Sequence, residues 1–136
     1  RNRHARLRSS DAQHRLGIAQ EKGGALEKRV ERFINAAWEH YRGDEYMATL
    51  EILLASRAEG GDGASIKLNH HSHLALWRRI FHDCPLTDRA MQEAIYTVHC
   101  MLTGYVIEVV LEPEFFDVKR YLQRLRRILL AMLTES

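Results

Sequence analysis

Apolar side chains return at intervals of three and four along most of this chain, the spacing of helices that turn one face toward a core. Leu26, Val30, Phe33/Ile34, Ala37/Trp38 and Tyr41 form the first stripe, with Glu27, Lys28, Glu31, Arg32 and Glu39 on the other side, which predicts a helix over 25–41. Gly43 ends it, and Asp44 is a good N-cap for a second helix. Its apolar positions Tyr46, Met47, Leu50, Leu53/Leu54 and Ala58 carry it to residue 59. Gly60, Gly61 and Gly63 around Asp62 then break the chain. A third helix, over 64–82, places Ile66, His70, His73/Leu74, Trp77 and Ile80/Phe81 on one stripe.

The turn Cys84-Pro85-Leu86 follows, and Thr87 or Asp88 caps the fourth and longest helix, which reaches Leu111. Its apolar residues occupy two faces: Met91, Ile95, Val98, Leu102, Tyr105 and Val109 on one, Tyr96, Val106 and Val110 around another. A helix apolar nearly all round needs cover on both sides. Pro113 fits the first turn of a fifth helix, whose stripe is Val118, Tyr121/Leu122, Leu125, Ile128/Leu129 and Met132/Leu133. Lys119, Arg120, Arg124, Arg126 and Arg127 fall outside that stripe and form a solvated face.

The expected fold is therefore all-α, a five-helix domain. Five helices in a chain of 136 residues leave too little interior to cover the fourth helix twice. The economical solution is a homodimer in which the last two helices of each copy form a four-helix bundle. Met101, Val109, Leu122, Leu125, Ile128, Leu129 and Met132 are the residues expected at that seam.

Composition supports one domain: 46% of residues are apolar and only Pro85 and Pro113 interrupt the chain. Residues 1–24, rich in arginine and closed by Gly23-Gly24, read as a basic connector, and 25–136 as the helical domain. The first residue is Arg, which implies a longer protein upstream or a fragment. A net charge of +2 with mixed signs does not demand a nucleic-acid partner. Cys84 and Cys100 lack any CxxC or zinc spacing, so reduced thiols in the cytoplasm are expected. The longest apolar stretch, residues 104–111, is broken by Glu108 and falls short of the roughly 20 residues of a membrane span, which leaves no membrane partner in the expectation.

Chemistry-bearing residues are few. No GxSxG turn and no phosphate-binding loop occurs, and Ser72 beside His71 and His73 is not a triad, since helix neighbours point apart. An enzyme is not expected, nor a cofactor. His70, His71 and His73 are the one compact group of possible metal ligands, but no acidic partner or HExxH accompanies them, and no metal site is expected. Large aromatics from four helices could enclose a cavity with a few polar tips. The residues expected to line it are Trp38, Tyr46, Leu50, His70, His73, Trp77, Phe81, Tyr96, His99 and Tyr105. The competing reading is that the same rings simply fill the core.

Residues 36–57, from Ala36-Ala37-Trp38 through Arg42-Gly43-Asp44-Glu45-Tyr46 to Ala55-Ser56-Arg57, resemble a stretch common in regulatory domains of TetR-family transcriptional regulators. There an aromatic helix end, a short turn of small residues and an aromatic-led helix ending in Ala-x-Arg follow one another. The helix ending Trp77-Arg78-Arg79-Ile80-Phe81 and the two long C-terminal helices, with Gly104 inside the first, agree in kind. The similarity spans residues 25–133. It implies a dimeric, ligand-responsive regulatory domain of a repressor, binding a small, partly apolar effector. Operator DNA would be read by a helix-turn-helix headpiece, which nothing in residues 1–24 matches. The alternatives are a helical protein-interaction or assembly module without a ligand and, more remotely, a histidine-dependent metalloprotein.

Overall fold

A computed structural model describes residues 26–58 and 73–135 of the chain. Among them the structure is all-helical, with five helices and no strand. α1 spans Leu26–Tyr41 and α2 Asp44–Ala58. The described part of α3 covers residues 73–80. α4 spans Asp88–Leu111 and α5 Val118–Thr134. The expected connector over 1–24 and the Gly60–Gly63 break lie outside the described residues.

α1 and α5 are amphipathic, and each buries the stripe that its periodicity dictates. Val30, Phe33 and Ile34 of α1 and Leu122, Leu125, Leu129 and Leu133 of α5 are enclosed. α5 packs against both α1 and α4, so the last helix closes the core that the first one opens. Leu125 and Leu129 are 0% exposed. Each such side chain contributes about 1.5–3 kcal/mol by leaving water. α4 turns Met91, Ala94, Ile95, Val98 and Leu102 into this interior, as the spacing of its first stripe predicts. It is also long and apolar enough to span a membrane by length and composition, the only such helix among the described residues, which differs from the short apolar run read from the sequence. The helical frame that joins Ala90 to Leu111 is interrupted by carboxylates too seldom to lower that apolar character.

Turns are set by specific groups. At Gly43 an added Cβ would come within 3.3 Å of the His40 carbonyl, a tight approach that favours glycine between α1 and α2. Thr87 caps α4: its Oγ1 accepts from the Ala90 amide at 3.1 Å. Pro113 corrects an expectation. It lies in the turn after α4 rather than in the first turn of α5, because the Glu112 carbonyl accepts from the amides of Phe115 and Phe116 and α5 opens only after Asp117.

Among the described residues one charged side chain is buried. The Arg29 guanidinium donates to the Ile80 carbonyl at 3.1 Å and grips both carboxylate oxygens of Asp83, tying α1 to the turn that follows α3. The hydrogen bond from Arg29 holds the Asp83 carboxyl below its ordinary range, and the same bond raises Arg29. Arg126 of α5 donates to the Asn35 side chain of α1 and pins the opposite edge of that helix pair.

Candidate functional site

The aromatic residues expected around one cavity are distributed over four places. Trp77 and Phe81 are buried and close on Phe33: ring centroids lie 4.8 Å apart for Phe33–Trp77, 5.5 Å for Phe33–Phe81 and 5.4 Å for Trp77–Phe81. Phe33 meets both of the others edge to face and the third pair is tilted, so the rings pack against one another. Trp77 and Phe81 are core residues, part of the same buried cluster as the leucines of α5.

Tyr46 and His99 belong to a second group, between α1, α2 and α4. The Tyr41 hydroxyl lies 2.6 Å from His99 Nδ1, and the Tyr46 hydroxyl 2.6 Å from Thr103 Oγ1. The two tyrosine rings are in contact, with centroids 4.4 Å apart. Burial pushes both phenols above their ordinary range; for Tyr46 the bond to Thr103 offsets part of the rise. These hydroxyls are committed to partners within the protomer, so the group acts as a latch between α4 and the α1–α2 corner.

Trp38 lines a third place, a shallow crevice of about 130 Å³ with Arg42, Asp44, Met47, Val106, Val109 and Val110. Leu50 is half-buried on α2, while His73 and Tyr96 are exposed. His70 lies outside the described residues. Among the described residues no three His, Cys, Asp or Glu side chains converge as a metal cluster would.

Tyr105 belongs to the fourth place, an open groove of about 500 Å³ between α4 and the connection to α5. Met101, Gly104, Tyr105 and Glu108 form one stripe of α4 along it, at the three- and four-residue steps of a helix face, and Glu112, the C-terminal cap of the helix, also lines the groove. Phe115, Phe116 and Tyr121 complete the wall. Tyr105 donates to the Tyr121 carbonyl at 3.3 Å, which fixes its ring. Phe116 and Tyr121 stack with centroids 4.7 Å apart and planes 7° from parallel. Phe115 is 85% exposed. Apart from Tyr105, the sequence reading assigned none of these to a ligand site. The signal available was the pair Phe115-Phe116 in a short polar connection, where a solvated loop has no use for two large rings.

The residues expected at the seam divide between the protomer's interior and its surface. Leu122, Leu125 and Leu129 face the protomer's own core and have no surface to offer a second copy. Val109 is half-buried in the Trp38 crevice. Met101, Ile128 and Met132 retain surface on the flank shared by α4 and α5. The face of α4 turned away from the core carries Tyr96, Cys100, Gly104, Ile107 and Leu111, and no Asp, Glu, Lys or Arg occurs between Glu93 and Glu108. Tyr96, Ile107 and Leu111 are exposed large apolar residues, Leu111 at 67%. α2 shows the same condition in stronger form, since none of its residues is buried and Ile52 and Leu54 face solvent.

No family model, curated protein or solved structure matches this chain.

Proposed function

We infer that the chain is a self-associating helical regulatory module of the TetR kind, which pairs through the outer face of α4 and answers to a small effector. The observation that carries this reading is the uncharged, exposed face of α4, Tyr96–Cys100–Gly104–Ile107–Leu111. Soluble surfaces rarely leave so long a helical stripe without a charge unless another apolar surface covers it. Cys100 and Gly104 are small, so two such helices can approach closely along their length, and Met101, Ile128 and Met132 extend the seam onto the flank of α5. In that arrangement α4 touches the partner on one face and the protomer core on the other, and any ligand that shifts α4 biases the pair. Operator DNA falls to a helix-turn-helix headpiece outside this chain, and the module itself carries no catalytic chemistry.

Sedimentation equilibrium at micromolar concentration tests the pairing. A dimer burying at least ~1,200 Å² in total is expected. Ile107→Glu should yield a helical monomer, because a carboxylate is driven into an apolar seam. A wild-type chain that stays monomeric throughout overturns the reading. The second reading, an assembly module without a ligand, is favoured by the closure of Phe33, Trp77 and Phe81 on one another. It predicts a dimer that no small molecule stabilises, whereas an effector at 100 times its dissociation constant adds about 2.7 kcal/mol to stability.

A further inference from the structure

The groove at the C-terminal end of α4 has a charge pattern that protomer packing does not use. Its floor is Gly104, over which an added Cβ would meet nothing within 4 Å. Its aromatic wall is Tyr105, Phe116 and Tyr121, with Phe115 standing at the mouth. Its polar lining includes Glu108, in the last turn of α4, and Glu112, which caps the C-terminus of that helix. Neither carboxylate forms an ion pair among the described residues.

Three sources of negative potential meet here. The carboxylates are the first. The second is the C-terminus of α4, which carries the partial negative charge of its unpaired carbonyls and has no basic residue in its last turn. The third is the set of ring faces, whose quadrupoles attract cations. An anion would be repelled by all three, and a neutral apolar molecule would cover the carboxylates without answering their charge. A volume of about 500 Å³ suits a small organic molecule.

We propose that this groove binds a lipophilic organic cation, an aryl or alkyl body bearing a protonated amine or a quaternary ammonium group. The charged head sits by Glu108 and Glu112, and the body lies against Phe116 and Tyr121 over Gly104. The groove is complete within one copy of the chain. Where two copies pair, Gly104 belongs to the seam as well, so ligand and partner helix meet at that residue.

The test is a titration of the ¹⁵N-labelled chain with benzyltrimethylammonium, alongside benzyl alcohol as the neutral comparator and benzenesulfonate as the anionic one. Saturable shifts of the Gly104, Glu108, Phe115 and Tyr121 amides are expected with the cation alone. Replacing both Glu108→Gln and Glu112→Gln should weaken binding about tenfold, the equivalent of 1.4 kcal/mol. Gly104→Leu should abolish it while leaving the helix intact, since leucine is a better helix former than glycine and has open space to enter. Equal shifts with benzenesulfonate, no shifts with the cation at millimolar concentration, or unchanged affinity in the double Gln variant overturns the proposal. So do groove shifts that depend on protein concentration alone and block the cation, which would make a second copy the occupant. Repeating the titration on Ile107→Glu separates the two conclusions, because that variant removes self-association and leaves the groove residues in place.

Discussion

Two aromatic triads of similar size behave differently. Phe33 comes from α1, and Trp77 and Phe81, four positions apart, from α3 and the turn that follows it; Phe33 meets both edge to face, and all three lie in the buried core. Tyr105, Phe116 and Tyr121 are as close to one another, but two of them flank a turn, and the wall they form opens on solvent beside Glu108 and Glu112. The first triad has exchanged all its surface for packing. The second has kept a face. Aromatic count alone therefore did not locate a site; what separates core from candidate site is whether the rings lie within reach of an unpaired charge.

The comparison breaks most sharply at Phe81. Phe81→Ala should cost about 3–5 kcal/mol, read as a lowered urea midpoint, because the residue is fully enclosed and its neighbours cannot collapse into the space. A loss under 1 kcal/mol would mean that the inner triad is as open as the outer one. Leu125→Glu belongs to the same class: it should unfold the protomer rather than split a dimer, seen as lost helical circular dichroism.

Asp83→Asn comes next. It removes the charged partner of a guanidinium whose side chain is 6% exposed, and about 1.5–3 kcal/mol is expected. The Asp83 carboxyl is depressed in the folded state, so its contribution is present above its ordinary value of 3.8 and is lost as the pH falls through the lower folded value. The wild-type advantage over Asp83→Asn should accordingly be constant near neutrality and shrink only in acid. An advantage that vanished between pH 6 and 8 would contradict the assignment.

Smaller effects test the outer triad. Tyr121→Ala, at a residue 40% exposed, should cost about 0.5–1.5 kcal/mol, mostly lost stacking on Phe116. Phe115→Ser should leave stability within about 0.5 kcal/mol while weakening ligand binding at the groove. That split between stability and binding is the difference between the two triads in measurable form. If Phe115→Ser destabilised the fold as Phe81→Ala does, the ring would be a core residue that the open groove misrepresents.

Much of the architecture was legible in the chain. The stripes of α1 and α5 predicted their buried residues almost position by position, since a regular helix leaves no choice about which side chains share a face. Gly43 and Thr87 announced their turns through backbone sterics and side-chain capping. Pro113 was misplaced because the same fixed φ that suits a first helical turn also suits an ordinary one, and the Phe115 and Phe116 amides decided between them.

The sites were less legible. Periodicity showed that Leu125 and Leu129 belong to an apolar face, but a protomer core and a dimer seam require the same pattern, and only the position of α1 across that face assigned them to the core. It likewise grouped Trp77, Phe81, Tyr46 and His99 as one lining, whereas the helix crossings sent the first two inward and gave the others partners in Tyr41 and Thr103. By itself the sequence determined that the described residues are helical, where α1, α2, α4 and α5 begin and end to within a few residues, and that α4 is apolar on more than one face. Tertiary structure alone decided which apolar residues remain outside, because exposure depends on which helix lies over which. It also set Glu108 and Glu112 beside Phe116 and Tyr121, a meeting across a turn that no helical period encodes.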